Sequence, residues 1–65
     1  MKIETTNYRR IHGIHPKRWS WYFFRIEDKA GHGRVIDMRG TYTAARHAAR
    51  VTAKAGKYSR IVLLP

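Results

Sequence analysis

Trp19, Trp21, Phe23 and Arg25 occupy alternate positions in the stretch WSWYFFRIE. If that stretch is extended they share one face, because successive side chains of a strand point to opposite sides. Rings interleaved with arginine suit nucleic acid in two ways. Arginine pairs with phosphate or with guanine edges in the major groove, and rings stack on unpaired bases or pack along the sugars. The opposite face of the same stretch is loaded as well, with Tyr22, Phe24 and Ile26. A half-buried strand alternates apolar with polar, so a strand that is apolar on both sides needs something to cover each.

Other chemistries find less support. The four acids, Glu4, Glu27, Asp28 and Asp37, show no pairing on one face that would mark an acid and a base, and no glycine-rich phosphate loop is present. The chain is therefore expected not to be an enzyme. His12 and His15 stand three residues apart beside Pro16. With no cysteine and no nearby carboxylate they fall short of a zinc ligand set, and neither metal nor cofactor is expected. GHG at residues 31–33 reads as a turn.

Fourteen Lys and Arg against four acids give a net charge of +10 on 65 residues. Solubility needs a net charge of only about 2 to 8 in a small domain, and a larger excess repels itself unless something anionic relieves it. The expected partner is a polyanion. A chain this short is one domain, residues 1–65, burying about 60% of its unfolded surface, with no second layer to spare. No apolar run approaches the roughly 20 residues of a membrane span and the first residues lack a signal-peptide core, so no membrane partner is expected. The absence of cysteine suits a reducing compartment, and the expected location is cytoplasmic or associated with a host nucleoid.

These side chains have to be positioned by strands and a helix. Residues 7–14 (NYRRIHGI) read as a first strand bending near Gly13, with Tyr8, Arg10 and His12 on one side and Arg9 and Ile11 on the other. Pro16 forces a turn, and residues 19–27 form the second strand. DKAGHG at 28–33 is turn chemistry joining it to a third strand, 34–39, in an antiparallel hairpin. Beyond Gly40 the period becomes helical. Thr41 or Thr43 caps a helix that runs to about Ala55 and stops at Gly56. Its small-residue stripe is Ala44, Ala48, Val51, Thr52 and Ala55, packing against Tyr22, Phe24, Ile26, Ile36 and Met38, large against small. Arg46, Arg50 and Lys54 form a like-charge ladder along this helix. RIVLLP, residues 60–65, returns as an apolar strand beside the first. The expected class is α+β, a three-stranded antiparallel sheet on one C-terminal helix with a short fourth strand at the C-terminus.

One helix covers one face of such a sheet, which leaves Trp19, Trp21, Phe23 and Arg25 open beside Asp37 and Arg39. Besides nucleic acid, three things could cover that face: a tryptophan folded over the sheet edge, the IVLLP tail, or a second copy of the chain. Exposed apolar patches mark protein interfaces as readily as nucleic-acid sites.

YRRI, WSWYFFRIED, GTYTAARHAAR and the closing LLP, in this order, resemble the APETALA/ethylene-response-factor DNA-binding domain and the related arm-binding domains of tyrosine recombinases. The resemblance spans about residues 8 to 65. It implies that a three-stranded sheet enters the major groove, with Arg9 and His12 as first-strand contacts, Trp19 as a tryptophan contact, Arg25 and Glu27 at second-strand contact positions, and Arg34 or Arg39 on the third strand. The chain departs from that pattern in a longer first hairpin, in the inverted charges of Arg25 and Glu27, and in Met38 where tryptophan is usual. The docking mode carries over, the base specificity does not.

The expected function is a DNA-binding protein, of phage or mobile-element type given the integrase likeness, that docks its open sheet face on double-stranded DNA. Its contact residues would be Arg9, Arg10, His12, Lys17, Arg18, Trp19, Trp21, Phe23, Arg25, Arg34 and Arg39. RNA is a further partner. The alternative is an inhibitor or adaptor that sets the same basic aromatic face on an acidic protein. Monomer and homodimer are both compatible with the sequence.

Overall fold

The computed structural model describes residues 2–65. Its elements run β1 (Ile3–Glu4), α1 (Thr6–His12), β2 (Ser20–Glu27), β3 (Gly33–Gly40), α2 (Tyr42–Ala55) and β4 (Arg60–Leu63). The class is α+β, with a four-stranded mixed sheet ordered β1-β4-β2-β3. β2 pairs antiparallel with both β3 and β4, and β1 joins β4 in parallel. No helix among the described residues is long and apolar enough to cross a membrane.

The β2–β3 hairpin forms where turn chemistry predicts it, paired from Ser20↔Gly40 to Glu27↔Gly33. Asp28 closes the turn by accepting from the backbone N–H groups of Ala30 at 2.9 Å and His32 at 3.0 Å, the local side-chain bonding that favours Asp in turns. On β2 the inward residues are Tyr22, Phe24 and Ile26, all buried. Their neighbours across the sheet are Met38, Ile36 and Arg34 on β3 and Leu63 and Ile61 on β4. Phe24, Ile26, Ile61 and Leu63 are the largest fully buried side chains.

The segment 7–14 is not a strand: most of it lies in helix α1. Its apolar and aromatic positions satisfy a helical spacing as well as an alternating one, and local pairs decide between them. Tyr8 and His12, four residues apart, stack at 4.1 Å, and Arg10 donates to the Asn7 side chain at 2.9 Å. Gly13, expected to bend a strand, is instead the helix C-cap. It takes the left-handed φ of 73° that residues with a Cβ rarely adopt, and its N–H reaches the Arg9 carbonyl. The helix buries none of its residues and meets the core only through half-buried Tyr8, whose ring lies 6.4 Å from that of Tyr22.

With 7–14 helical, the place beside β2 falls to β4. The closing strand pairs antiparallel with β2 and, on its other side, with the two-residue β1, rather than with a strand at 7–14.

Helix α2 has the expected ends. Thr41 accepts from the N–H of Ala44 at 3.2 Å, and the helix stops at Gly56, where a Cβ would sit 2.5 Å from the Tyr58 ring, while the left-handed turn falls on the next residue, Lys57, at φ 59°. The buried stripe is out of phase with the expected one. Ala45, Ala49 and Ala53 face the sheet, Ala48 and Thr52 are half-buried, and Ala44, Val51 and Ala55 are exposed. Tyr42 sets this phase: its ring meets Tyr22 edge-on at 5.5 Å, and 42, 45, 49 and 53 follow the helical spacing from that anchor. Placing Val51 inward would turn Tyr42 away.

Candidate functional site

Helix α2 covers one side of the sheet and leaves the other open. The pleat puts Trp21, Phe23, Arg25 and Glu27 of β2 on the open side, beside Arg39, Asp37, Val35 and Gly33 of β3. From β4, Val62 stands beside Arg25 and Arg60 beside Glu27, and Glu4 of β1 is the neighbour of Val62. Nothing within the described chain caps this surface: Trp19, Trp21, Phe23 and Val35 are 59%, 52%, 46% and 53% exposed. The tail stays in the plane of the sheet rather than crossing the face, for the Leu64 N–H continues the β4–β2 ladder to the Phe23 carbonyl.

The face has two zones. Near the Ser20/Gly40 end the Arg39 guanidinium lies 4.8 Å from the ring centre of Trp19 and 5.5 Å from that of Trp21. Two cation–π contacts hold it, and among the described residues it has no carboxylate partner, so its fork of N–H donors remains available. Near the hairpin turn the charges neutralise one another. Arg25 Nε donates to Glu27 Oε2 at 2.9 Å, Arg60 Nη1 to Glu27 Oε1 at 3.1 Å, and Arg60 holds both oxygens of Glu4. The hydrogen bond from Arg25 keeps the Glu27 carboxyl below the ordinary range, and that from Arg60 does the same for Glu4.

This arrangement redistributes the charge. Three arginines, Arg25, Arg39 and Arg60, share the open face with three of the chain's four acids, Glu4, Glu27 and Asp37. The strand side chains on this face therefore sum to zero, and the whole excess of ten charges lies elsewhere on the molecule.

Of the residues singled out in the sequence, the fold brings Trp19, Trp21, Phe23, Arg25 and Arg39 together. Lys17 and Arg18 lie in the exposed approach to β2, where the Arg18 carbonyl accepts from the Tyr22 hydroxyl. Burial raises the pKa of that hydroxyl. Arg34 is opposite Ile26 and therefore belongs to the helix side of β3. Arg9, Arg10 and His12 lie on α1, so they are not strand contacts. Among the described residues no three His, Asp or Glu side chains gather where a metal ion could be held.

Two features escaped the sequence reading. The Glu4–Arg60–Glu27–Arg25 chain depends on a register linking residues 56 positions apart, and no local signal carries that. The second is a basic cleft on the helix side, lined by Lys2, Thr5, His15, Tyr42, Arg46 and Arg50, of which only the arginine ladder was visible. Compared with family models, with curated proteins and with solved structures, the chain finds no match.

Proposed function

We propose that the protein binds nucleic acid, duplex DNA foremost, through the β2–β3 ribbon of its open sheet face. The observation that carries this reading is Arg39, in contact with two exposed indoles on an uncovered sheet, with no acceptor for its donors among the described residues. The major groove is wide enough for a two-stranded ribbon, and β3 is an edge strand, so the hairpin presents itself without obstruction from β1 and β4. In this reading Arg39 addresses a base edge or phosphate, Trp19, Trp21 and Phe23 pack along bases and sugars, and Lys17 and Arg18 reach the flanking backbone. The contribution of Arg25 is smaller than its position suggests, because Glu27 already accepts its Nε hydrogen bond.

The test is a salt titration of binding to duplex DNA, single-stranded DNA and RNA of equal length, on the parent and on Arg39→Ala. For duplex, log K should fall by about 0.9 for each neutralised phosphate as log salt rises. Arg39→Ala should lose about 1–3 kcal/mol. A flat salt response, or full affinity in the variant, would remove the reading.

The neutrality of the face favours a second reading, a protein partner. Three acids point toward whatever docks there, and Val35 and the rings offer apolar area of the kind found at protein interfaces. That partner would bind with little salt dependence and would lose most affinity on Trp21→Ala, the indole being the usual anchor type.

A further inference from the structure

On the helix side of the molecule, at the β1 edge of the sheet, a cleft of ≈ 360 Å³ opens between the first strand, the 13–16 connection and α2. This is the low end of the range for ligand sites, about 300–1,000 Å³. Its floor is apolar, Ile3 and Pro16, both buried. Lys2, Arg46 and Arg50 stand around it, and among the described residues no carboxylate does. Strand alternation explains the absence of acid. Ile3 turns inward toward the helix, so Glu4 turns to the open face, where Arg60 holds both its oxygens; the field of Lys2 is only the least of the influences on it.

Donors converge on the same space. Thr5 leads into α1 without capping it through its side chain, and no hydrogen bond occupies the His15 ring or the Tyr42 hydroxyl among the described residues. The Arg46 guanidinium is steadied 5.7 Å from the centre of the Tyr42 ring. Arg46 and Arg50 are one helical turn apart, a like-charge spacing that mildly destabilises a helix. Planar guanidinium forks match the oxygens of a phosphate group, giving charge-assisted bonds stronger than neutral ones.

We propose that this cleft binds a phosphate group, held by Arg46, Arg50 and Lys2 with hydrogen bonds from Thr5, His15 and Tyr42. The chemistry is shared by two sources, a small free phosphate or phosphomonoester and the backbone phosphate of a nucleic-acid strand. The site does not depend on the open sheet face, which lies on the other side of the sheet.

Amide and arginine Nε resonances of the full chain should be followed while potassium phosphate, AMP or a DNA duplex is added, with potassium chloride at equal ionic strength as control. The expected result is a saturable shift confined to residues around the cleft. Arg46→Gln should weaken it about tenfold, the equivalent of one charge-assisted hydrogen bond. Arg46→Lys should restore part of it, and Trp21→Ala should leave it unchanged. Lys2→Gln supplies a second test at a residue outside every helix and strand, should Arg46→Gln melt early. Saturation by potassium phosphate or AMP assigns the site to a discrete phosphate. A response of the same residues to duplex alone assigns it to a strand phosphate. Shifts that match the chloride control, spread over all basic residues, or persist undiminished in both Arg46→Gln and Lys2→Gln would overturn the proposal.

Discussion

Arg25 and Arg39 face the same side of the sheet and differ in what they touch. Arg25 is half-buried and donates to Glu27, whereas Arg39 lies against two rings and no acid. Arg25→Ala should therefore change duplex affinity less than Arg39→Ala, and it should cost the fold little, since exposed pairs contribute about 0–1 kcal/mol. Melting curves and binding isotherms on the two variants check both halves. The same network makes stability depend on acid. Glu27 and Glu4 carry carboxyls lowered from an ordinary value of 4.5 by their arginine partners. A lowered folded-state pKa means that the contribution is fully present above the unfolded value and is lost as pH falls below it. The melting temperature should hold above pH 4.5 and decline beneath it, and Glu27→Gln should flatten that decline; an unaltered acid limb in Glu27→Gln would contradict the network. Sequence could offer Arg25 and Arg39 as equals because their carboxylate neighbours are decided by register, which single residues do not display.

Elements were legible where their determinants are local. The hairpin announced itself through Asp28 and its glycines, and α2 through Thr41 at one end and Gly56 at the other. The phase of α2 was not legible, because two alanine rows share the helix and Val51, the most apolar residue, lies on the wrong one. Residues 7–12 fit both periods, and only the Tyr8–His12 stack and the Gly13 cap favour the helix. The corrected phase makes a pair of opposed expectations. Ala49, fully buried, should resist enlargement, so that Ala49→Leu costs about 1–3 kcal/mol, while Ala44→Leu on the exposed side should stay within about 0.5 kcal/mol of the parent. Denaturant midpoints on the two variants decide whether Ala45, Ala49 and Ala53 are the packed row.

At the scale of the molecule, the net charge and the exposed indole and phenyl rings lie on different sides. The neutral sheet face carries the rings, and the helix side carries the cations of the ladder and the cleft. A second copy docked on the open face would bury apolar rings but bring two charges of +10 together, and at low salt that repulsion is least screened. The chain should therefore sediment as a monomer at low salt. If the parent sediments as a dimer and Trp21→Ala as a folded monomer, the face is a self-interface, and nucleic-acid binding would then fall in that variant only through lost avidity. A Trp21→Ala chain that fails to fold would instead place the indole in the core, against its 52% exposure.

The position of β4 bears on how the chain leaves the ribosome. The fourth strand in chain order is an interior one, seated between β1 and β2, and it brings Ile61 and Leu63, both fully buried. Domains are made N-terminus first, at about 5–20 residues per second, so β2 and β3 emerge while one edge of β2 has no neighbour and half of its aliphatic packing is still missing. Folding must then wait until residue 63 has cleared the exit tunnel, with WSWYFFRIE exposed throughout that interval. Nascent chains stalled while 60–63 are still inside the tunnel should be cleaved readily by protease, and chains extended by a tunnel-filling linker should resist.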